Sequence, residues 1–251
     1  MNISEQEFQI FARQLILKEF DEKTFDYIQK QHVFIIGIGG IGCPAAQYLL
    51  STGIKNLTLI DNDRIHITNL NRQTLYSINN LGEKKVDVAN KILKGINPKC
   101  KIKTISKKID ETNIKKYLSN PSIVIDTTDN WYSMNVINKF CVEQSIPLIS
   151  ASVVGFDGQV ILFNNTTKNH LCLNCIYPNN DEPDLPRCDT VGILGIAAGL
   201  TGLIAAQTTI NFFTKNNLTT NVLIMINSKS MKITHIKVKN NSNCINNSKK
   251  S

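Results

Sequence analysis

Gly37, Gly39 and Gly42 stand in the spacing G-x-G-x-x-G. In that pattern one glycine permits a tight turn, the second lets backbone approach a phosphate, and the third lets a helix close against a strand. A phosphate held there sits on the N–H groups and positive dipole end of the following helix. Asp61 lies about twenty residues further on, where a carboxylate can accept from ribose hydroxyls. Together they point to an adenine nucleotide. The glycines alone fit a dinucleotide such as NAD as well as ATP, and charge separates the two, because a triphosphate needs several cations. The next segment brings Asp61-Asn62-Asp63, then Thr68-Asn69-Leu70-Asn71-Arg72-Gln73, then Lys84-Lys85, with Arg13 ahead of all of them. ATP is the nucleotide expected.

Two further groups of residues could do chemistry. Asp126-Thr127-Thr128-Asp129-Asn130 directly follows the apolar run Ile123-Val124-Ile125, at the carboxyl edge of a parallel sheet where such folds bind ligands. Asp129 there is either a magnesium ligand or the cap of a helix beginning near Tyr132. Cys172 and Cys175 have C-x-x-C metal-ligand spacing. Cys188, in Pro186-Arg187-Cys188-Asp189-Thr190, is a loop thiol beside a cation and ahead of a helix, a setting that favours thiolate. Cys43, Cys100 and Cys141 fall in regular elements or at their edges and read as packing residues.

The elements that would position these residues alternate. An amphipathic helix is expected over residues 5–19 and a second over 22–31, before the buried strand Val33-Phe34-Ile35-Ile36. That strand breaks into the glycine turn, and a helix with Pro44 in its first turn runs to Gly53. Further strands are expected at 57–60, 102–105, 123–125 and 148–150, with helices over 84–96, 112–117 and 132–143. Residues 158–163 have antiparallel character. The class is α/β, a Rossmann-like doubly wound sheet, largely parallel with an antiparallel C-terminal part, in one domain spanning 1–251. The Asn/Ser/Lys tail 240–251 is expected to be mobile.

The chain has 251 residues, a net charge of +8 and seven cysteines. Its lysines are scattered among Asn and Ile, as in Lys99-Cys100-Lys101-Ile102-Lys103, which argues against nucleic acid. Residues 1–11 carry two glutamates and no basic start before an apolar run, so no secretory signal is visible and a cytoplasmic protein is expected. An odd cysteine count there suits metal ligands, reactive thiols or core rather than disulfides. Residues 191–213 lack charge and approach bilayer length. Gln207, Thr208, Thr209 and Asn211, with Gly192, Gly195, Gly199 and Gly202, mark them instead as a buried helix allowing close backbone approach, and no membrane partner is expected.

Taken together, Arg13-Gln14-Leu15-Ile16-Leu17, the glycine turn, Asp61-Asn62-Asp63, Thr68 to Gln73, Thr128-Asp129-Asn130, Gly158-Gln159-Val160 and Cys172-Leu173-Asn174-Cys175 resemble the ThiF/MoeB/HesA group over nearly the whole chain. The group comprises bacterial relatives of ubiquitin-activating enzymes. The resemblance implies ATP-dependent, magnesium-dependent adenylation of the C-terminal glycine carboxylate of a ubiquitin-like sulfur carrier ending in Gly-Gly. Nucleotide contacts would fall on Gly37, Gly39, Gly40, Gly42, Asp61, Asp63, Thr68, Asn69, Leu70, Asn71, Arg72, Lys85, Asp129 and Asn130. Asn69 and Arg72 would lie near the phosphates, Lys85 would neutralise charge as the α-phosphate is attacked, and Asp129 would organise magnesium. Arg13 would enter a neighbouring subunit's site, which implies a homodimer. Cys188 aligns with a cysteine that can join the carrier's terminal carbonyl through sulfur. The family's zinc site pairs two C-x-x-C motifs. Here Cys244 matches the first position of the second motif while Asn247 replaces the other, so three thiolates with water or His170 would have to hold the zinc. Residues 149–156 and 177–183 look most like the branch serving thiamine thiazole synthesis, with the molybdopterin branch as runner-up. No stretch long enough for a rhodanese domain follows, so a separate sulfur donor is expected. A dinucleotide oxidoreductase and a non-catalytic carrier-binding scaffold are the alternatives of another class.

Overall fold

The structure is a computed structural model, and it describes residues 4–167, 171–178, 191–215, 220–241 and 244. Eight strands form one sheet in the order β3-β2-β1-β4-β5-β6-β7-β8. β1 (His32–Ile36) lies between β2 (Asn56–Ile60) and β4 (Ile123–Asp126). β3 (Lys101–Ile105) is one edge, and β5 (Leu148–Val154) continues the parallel part on the other side. β6 (Asp157–Phe163), β7 (Val222–Asn227) and β8 (Lys232–Lys237) then run antiparallel. Strand order reverses between β1 and β4, which opens a crevice at their carboxyl ends.

The central strands are buried on both faces, so they read as unbroken apolar runs. Val33, Ile35, Leu57, Leu59, Ile123 and Ile125 point into one core. That core is covered by α1 (Glu5–Leu15), α2 (Glu22–Lys30), α3 (Gly42–Ser51), α4 (Lys85–Ile96) and the long C-terminal helix. Phe34, Ile36, Ile60, Val124 and Leu148 face the other core, with α5 (Ile114–Tyr117), α6 (Trp131–Glu143) and α7 (Leu173–Ile176). The alternation follows the two-residue period of a strand.

The first helix is shorter than its sequence pattern suggests. It starts with a capping box between Ser4 and Glu7 and stops at Leu15, with a separate 3-10 turn at Lys18–Phe20. Asp21 must be extended to cap α2, where its carboxylate accepts from Thr24 N at 2.8 Å, so one helix cannot run through this region. α8 (Gly195–Thr214) is the expected apolar helix. It has the length and hydropathy of a bilayer span, yet Ala197, Ala198, Thr201, Ala205, Ala206 and Thr209 are buried where it packs on α3, β5 and β6. Its small residues allow this contact: a Cβ on Gly202 would meet Ile41 O and Pro44, and one on Gly158 would meet Thr201 Oγ1. β7 and β8 were not expected from the sequence reading, although Val222 to Ile226 is apolar and Ile233 and Ile236 follow a short turn.

Candidate nucleotide site

The glycine turn lies at the crevice between β1 and β4. Gly37 has φ +92°, and a Cβ there would come within 2.9 Å of Thr127 O and Oγ1. Thr127 Oγ1 donates to Gly37 O at 2.6 Å, which ties the turn to the end of β4. A Cβ on Gly42 would strike Gly37 O, so the third glycine is needed for α3 to start so close to the turn. Ile38 is fixed on both sides of its backbone. Its N–H donates to Asp61 Oδ2 at 2.7 Å, while its carbonyl accepts from Tyr76 Oη at 2.9 Å and from the Cys43 thiol at 3.5 Å. Tyr76 and Cys43 were not recognised as supports of the turn; the signal was only their apolar spacing. Burial pushes the Cys43 thiol up to about 12, as befits a packing residue.

The second Asp61 oxygen accepts from Asp63 N at 2.8 Å. Burial pushes this carboxyl up, and the charge of Lys85 and the two N–H donors pull against that. A carboxylate has about four lone-pair directions, so two remain for ribose hydroxyls. Residues 63–65 pair with 82–85 through Ile65 N to Glu83 O at 2.9 Å and Lys85 N to Asp63 O at 3.1 Å. This pairing brings the buried Lys85 side chain to Asp63, with Nζ 2.8 Å from Oδ2.

Arg72 follows a 3-10 turn, Ile67–Asn69, and packs beside the glycines. A Cβ on Gly40 would lie 3.4 Å from Arg72 Cγ and 3.0 Å from Ala198 Cβ, and one on Gly39 would lie 3.7 Å from Gln73 Nε2. A Cβ on Gly195 would meet Asn71 O, so the start of α8 closes over this segment. Arg72 Nη1 donates to Thr68 O at 2.8 Å and to Asn71 Oδ1 at 3.1 Å, leaving further guanidinium donors for phosphate. Thr68 Oγ1 and Asn69 Oδ1 are engaged with His66, and Leu70 packs on the core.

At the end of β4, Asn130 caps α6, its side chain accepting from Ser133 N at 2.9 Å. That assigns the cap to Asn130 rather than Asp129. Asp129 is exposed, and its carboxylate makes no hydrogen bond to the described residues, which suits a divalent cation. Asp126 is buried, accepts from Thr128 N and Oγ1, and is pushed up to about 6 by burial.

Gly37, Gly39, Gly40, Gly42, Asp61, Asp63, Arg72 and Lys85 thus come together, with the residues around Asp129 beside them. Arg13 does not join them. Gln14, its neighbour on α1, donates to Thr52 O at 2.8 Å at the far end of α3. The ten residues of α3 separate that point from the glycine turn, a span of roughly 15 Å that an arginine side chain cannot cross.

The cysteines form a second cluster. Cys172 Sγ is 3.5 Å from Cys244 Sγ and 3.9 Å from Cys175 Sγ. A tetrahedral zinc with Zn–S bonds of about 2.3 Å sets its sulfurs about 3.8 Å apart. The three thiols therefore fit three of its corners. Hydrogen bonding to Cys172 pulls the Cys175 thiol down to about 5 against the effect of burial, which favours the ligating thiolate. Asn138 joins this knuckle to α6, accepting from Leu173 N at 3.0 Å and donating to Asn174 Oδ1 at 2.9 Å. Cys43, Cys100 and Cys141 are buried in the two cores. Cys188, Arg187, His170 and Asn247 lie outside the described residues, as does most of the tail expected to be mobile. Within that tail Cys244 is described and buried.

A glycine turn at the switch point, its middle peptide held by Asp61 and with Arg72 packed beside it, is the arrangement of the doubly wound nucleotide-binding class. The ThiF family model matches residues 11–246, and the chain belongs to the ThiF family. It is an ATP-dependent adenylyltransferase. It is 31% identical over 245 residues to the sulfur carrier protein ThiS adenylyltransferase of Escherichia coli, covering 96% of each chain. It is 34% identical over 245 residues to the molybdopterin-synthase adenylyltransferase of Haemophilus influenzae, covering 96% of this chain and 99% of that one. Among solved structures, E. coli MccB with AMPCPP and MccA superposes with a TM-score of 0.78 at 25% identity, over 97% of this chain and 81% of that one.

Proposed function

We propose that this enzyme adenylates the C-terminal glycine carboxylate of a ubiquitin-like sulfur carrier, ThiS of thiamine thiazole synthesis, in the cytoplasm. The observation that supports it best is the gathering of Asp61, Asp63, Arg72 and Lys85 around the glycine turn, in a chain matching an adenylyltransferase of that carrier end to end. The carrier's carboxylate oxygen attacks the α-phosphorus of ATP, an oxygen–phosphorus bond forms, and the bond to the β-phosphate bridging oxygen breaks. Pyrophosphate leaves with the electron pair. A carboxylate is already a nucleophile, so the residues act by position and charge rather than as a general base.

The N–H groups of Gly39, Gly40 and Ile41, ahead of α3, face the phosphates, while Ile38 N–H stays on Asp61 and the remaining Asp61 lone pairs accept from the ribose. Arg72 neutralises phosphate charge, and Arg72 and Asn69 donate to the phosphate oxygens. Lys85 exchanges part of its pairing with Asp63 for the α-phosphate as negative charge grows there. Asp129 would hold magnesium, which would neutralise phosphate charge. Cys172, Cys175 and Cys244 would hold a zinc, which would cross-link the segment around Cys244 to α7. A separate donor's persulfide passes its outer sulfur to Cys188 and leaves as the thiol; the Cys188 persulfide then attacks the adenylated carbonyl, a carbon–sulfur bond forms, and AMP leaves with the electron pair of the broken carbon–oxygen bond. Arg13 is too far from its own glycine turn to act there, which supports a homodimer in which it enters the partner's site. A second reading, a molybdopterin-synthase carrier as substrate, is favoured by the similarity to the H. influenzae enzyme over 96% of the chain. Pyrophosphate exchange measured separately with purified carriers of each kind separates the two readings.

A further inference from the structure

The densest ionic cluster among the described residues lies away from the nucleotide. Glu7 on α1 is 7% exposed. Its Oε1 is 2.6 Å from Lys55 Nζ and its Oε2 is 2.9 Å from Lys99 Nζ, and Lys99 Nζ also donates to Ser4 Oγ at 2.7 Å. Burial raises the Glu7 carboxyl, but Lys55, Lys99 and Ser4 outweigh it and hold the group at about 2. Desolvation cancels much of the attraction in such a cluster, so it contributes more to fixing geometry than to net stability.

The geometry it fixes is that of α1. Lys55 directly precedes β2 and Lys99 lies two residues before β3, so Glu7 anchors the first turn of α1 at the amino edge of the sheet. Gln14 anchors the last turn to Thr52 O. Between the two anchors Phe11 packs on Phe25, ring centroids 4.7 Å apart. Turned away from Phe11, Arg13 is exposed, as are Ile10 before it on α1 and Ile16 and Leu17 just past the end of the helix, at 59%, 79% and 54%. A helix tethered at both ends on one side thus presents an arginine set among apolar side chains on the other.

We propose that Glu7, through Lys55 and Lys99, is a positioning residue that aims Arg13 into the nucleotide site of a second copy of this chain. The proposal rests on the reading of Arg13 as a residue that acts across the dimer. The clamp sets the rotation and axial position of α1, and a shift of about 1 Å at a catalytic charge can cost 100-fold in rate. Glu7 acts on the partner's site, not on its own.

The test is subunit complementation. Glu7→Gln alone is expected to lose at least ten-fold in adenylation turnover. Mixed by co-expression with Asp129→Ala, itself inactive, it regains activity, because the intact site of the Glu7→Gln subunit receives Arg13 from a correctly clamped partner. Random pairing makes about a quarter of all sites competent. Arg13→Ala mixed with Asp129→Ala is the control. If that control stays inactive, the reading of Arg13 fails. If it recovers while the Glu7→Gln mixture does not, or if Glu7→Gln alone keeps full turnover, the positioning role is overturned. Should thermal melting show Glu7→Gln unfolded, Lys99→Gln, which removes the half-exposed arm of the clamp, takes its place with the same expectation at smaller size.

Discussion

Asp61 Oδ2 accepts a hydrogen bond from Ile38 N–H at 2.7 Å, so the carboxylate at the end of β2 holds the peptide in the middle of the glycine turn. One residue thereby shapes the glycine turn and, in the proposed function, offers its remaining lone pairs to the ribose. Asp61→Asn turns one acceptor into a donor facing another N–H. The expected loss is about 1.5–3 kcal/mol, or roughly 10- to 150-fold in ATP affinity, read by calorimetric titration. Unchanged affinity would remove Asp61 from the site.

Lys85 is buried and Asp63, its partner, is 57% exposed. Lys85→Met keeps the apolar stem and leaves Asp63 in water, so folding stability should change by less than about 1 kcal/mol. Turnover should fall about 100- to 1000-fold, because a charge aimed at the transition state is lost. Turnover within three-fold of wild type would show that Lys85 only pairs with Asp63.

The thiol cluster predicts one zinc per chain in protein purified without chelator, measured by elemental analysis. Cys172→Ser should abolish it, since Cys172 Sγ lies within 4 Å of both other thiols. Retention of a full equivalent by Cys172→Ser would show that zinc sits elsewhere.

Acid should act through Glu7. Its carboxyl is depressed to about 2 in the folded chain, against about 4.3 when unfolded. The stability it contributes is therefore fully present above the unfolded value and lost as pH falls through the folded one. Between pH 4.5 and 2 (roughly), Glu7→Gln should flatten the fall in melting temperature. Parallel curves for the two proteins would contradict the pairing.

Much of this was legible in the residue order because the fold and the nucleotide site share one stretch of chain. Gly37 is required by its φ of +92° and Gly42 by its approach to Gly37 O within the turn itself, and Asp61 follows from the length of one βα unit. What escaped depends on contacts distant in sequence. Tyr76 reads as one more apolar residue, yet its hydroxyl holds Ile38 O from 38 residues away. Lys55 and Lys99 look like two more of the scattered lysines until the sheet brings both to Glu7. The cap of α6 fell to Asn130 rather than Asp129 because the helix begins one residue earlier than its apolar pattern, at Trp131. β7 and β8 were obscured by exposure, since an edge strand such as Lys232–Lys237 buries too little to show a clear apolar face.

Carrier-dependent exchange of labelled pyrophosphate into ATP tests the central claim most directly. With a carrier ending in Gly-Gly the enzyme should exchange label rapidly. Exchange should vanish when the carrier's last glycine is deleted or when Asp129 is replaced by Ala in a chain that still melts cooperatively. Exchange that proceeds without carrier, or none with any Gly-Gly carrier, would contradict adenylation of a protein's terminal carboxylate at this site.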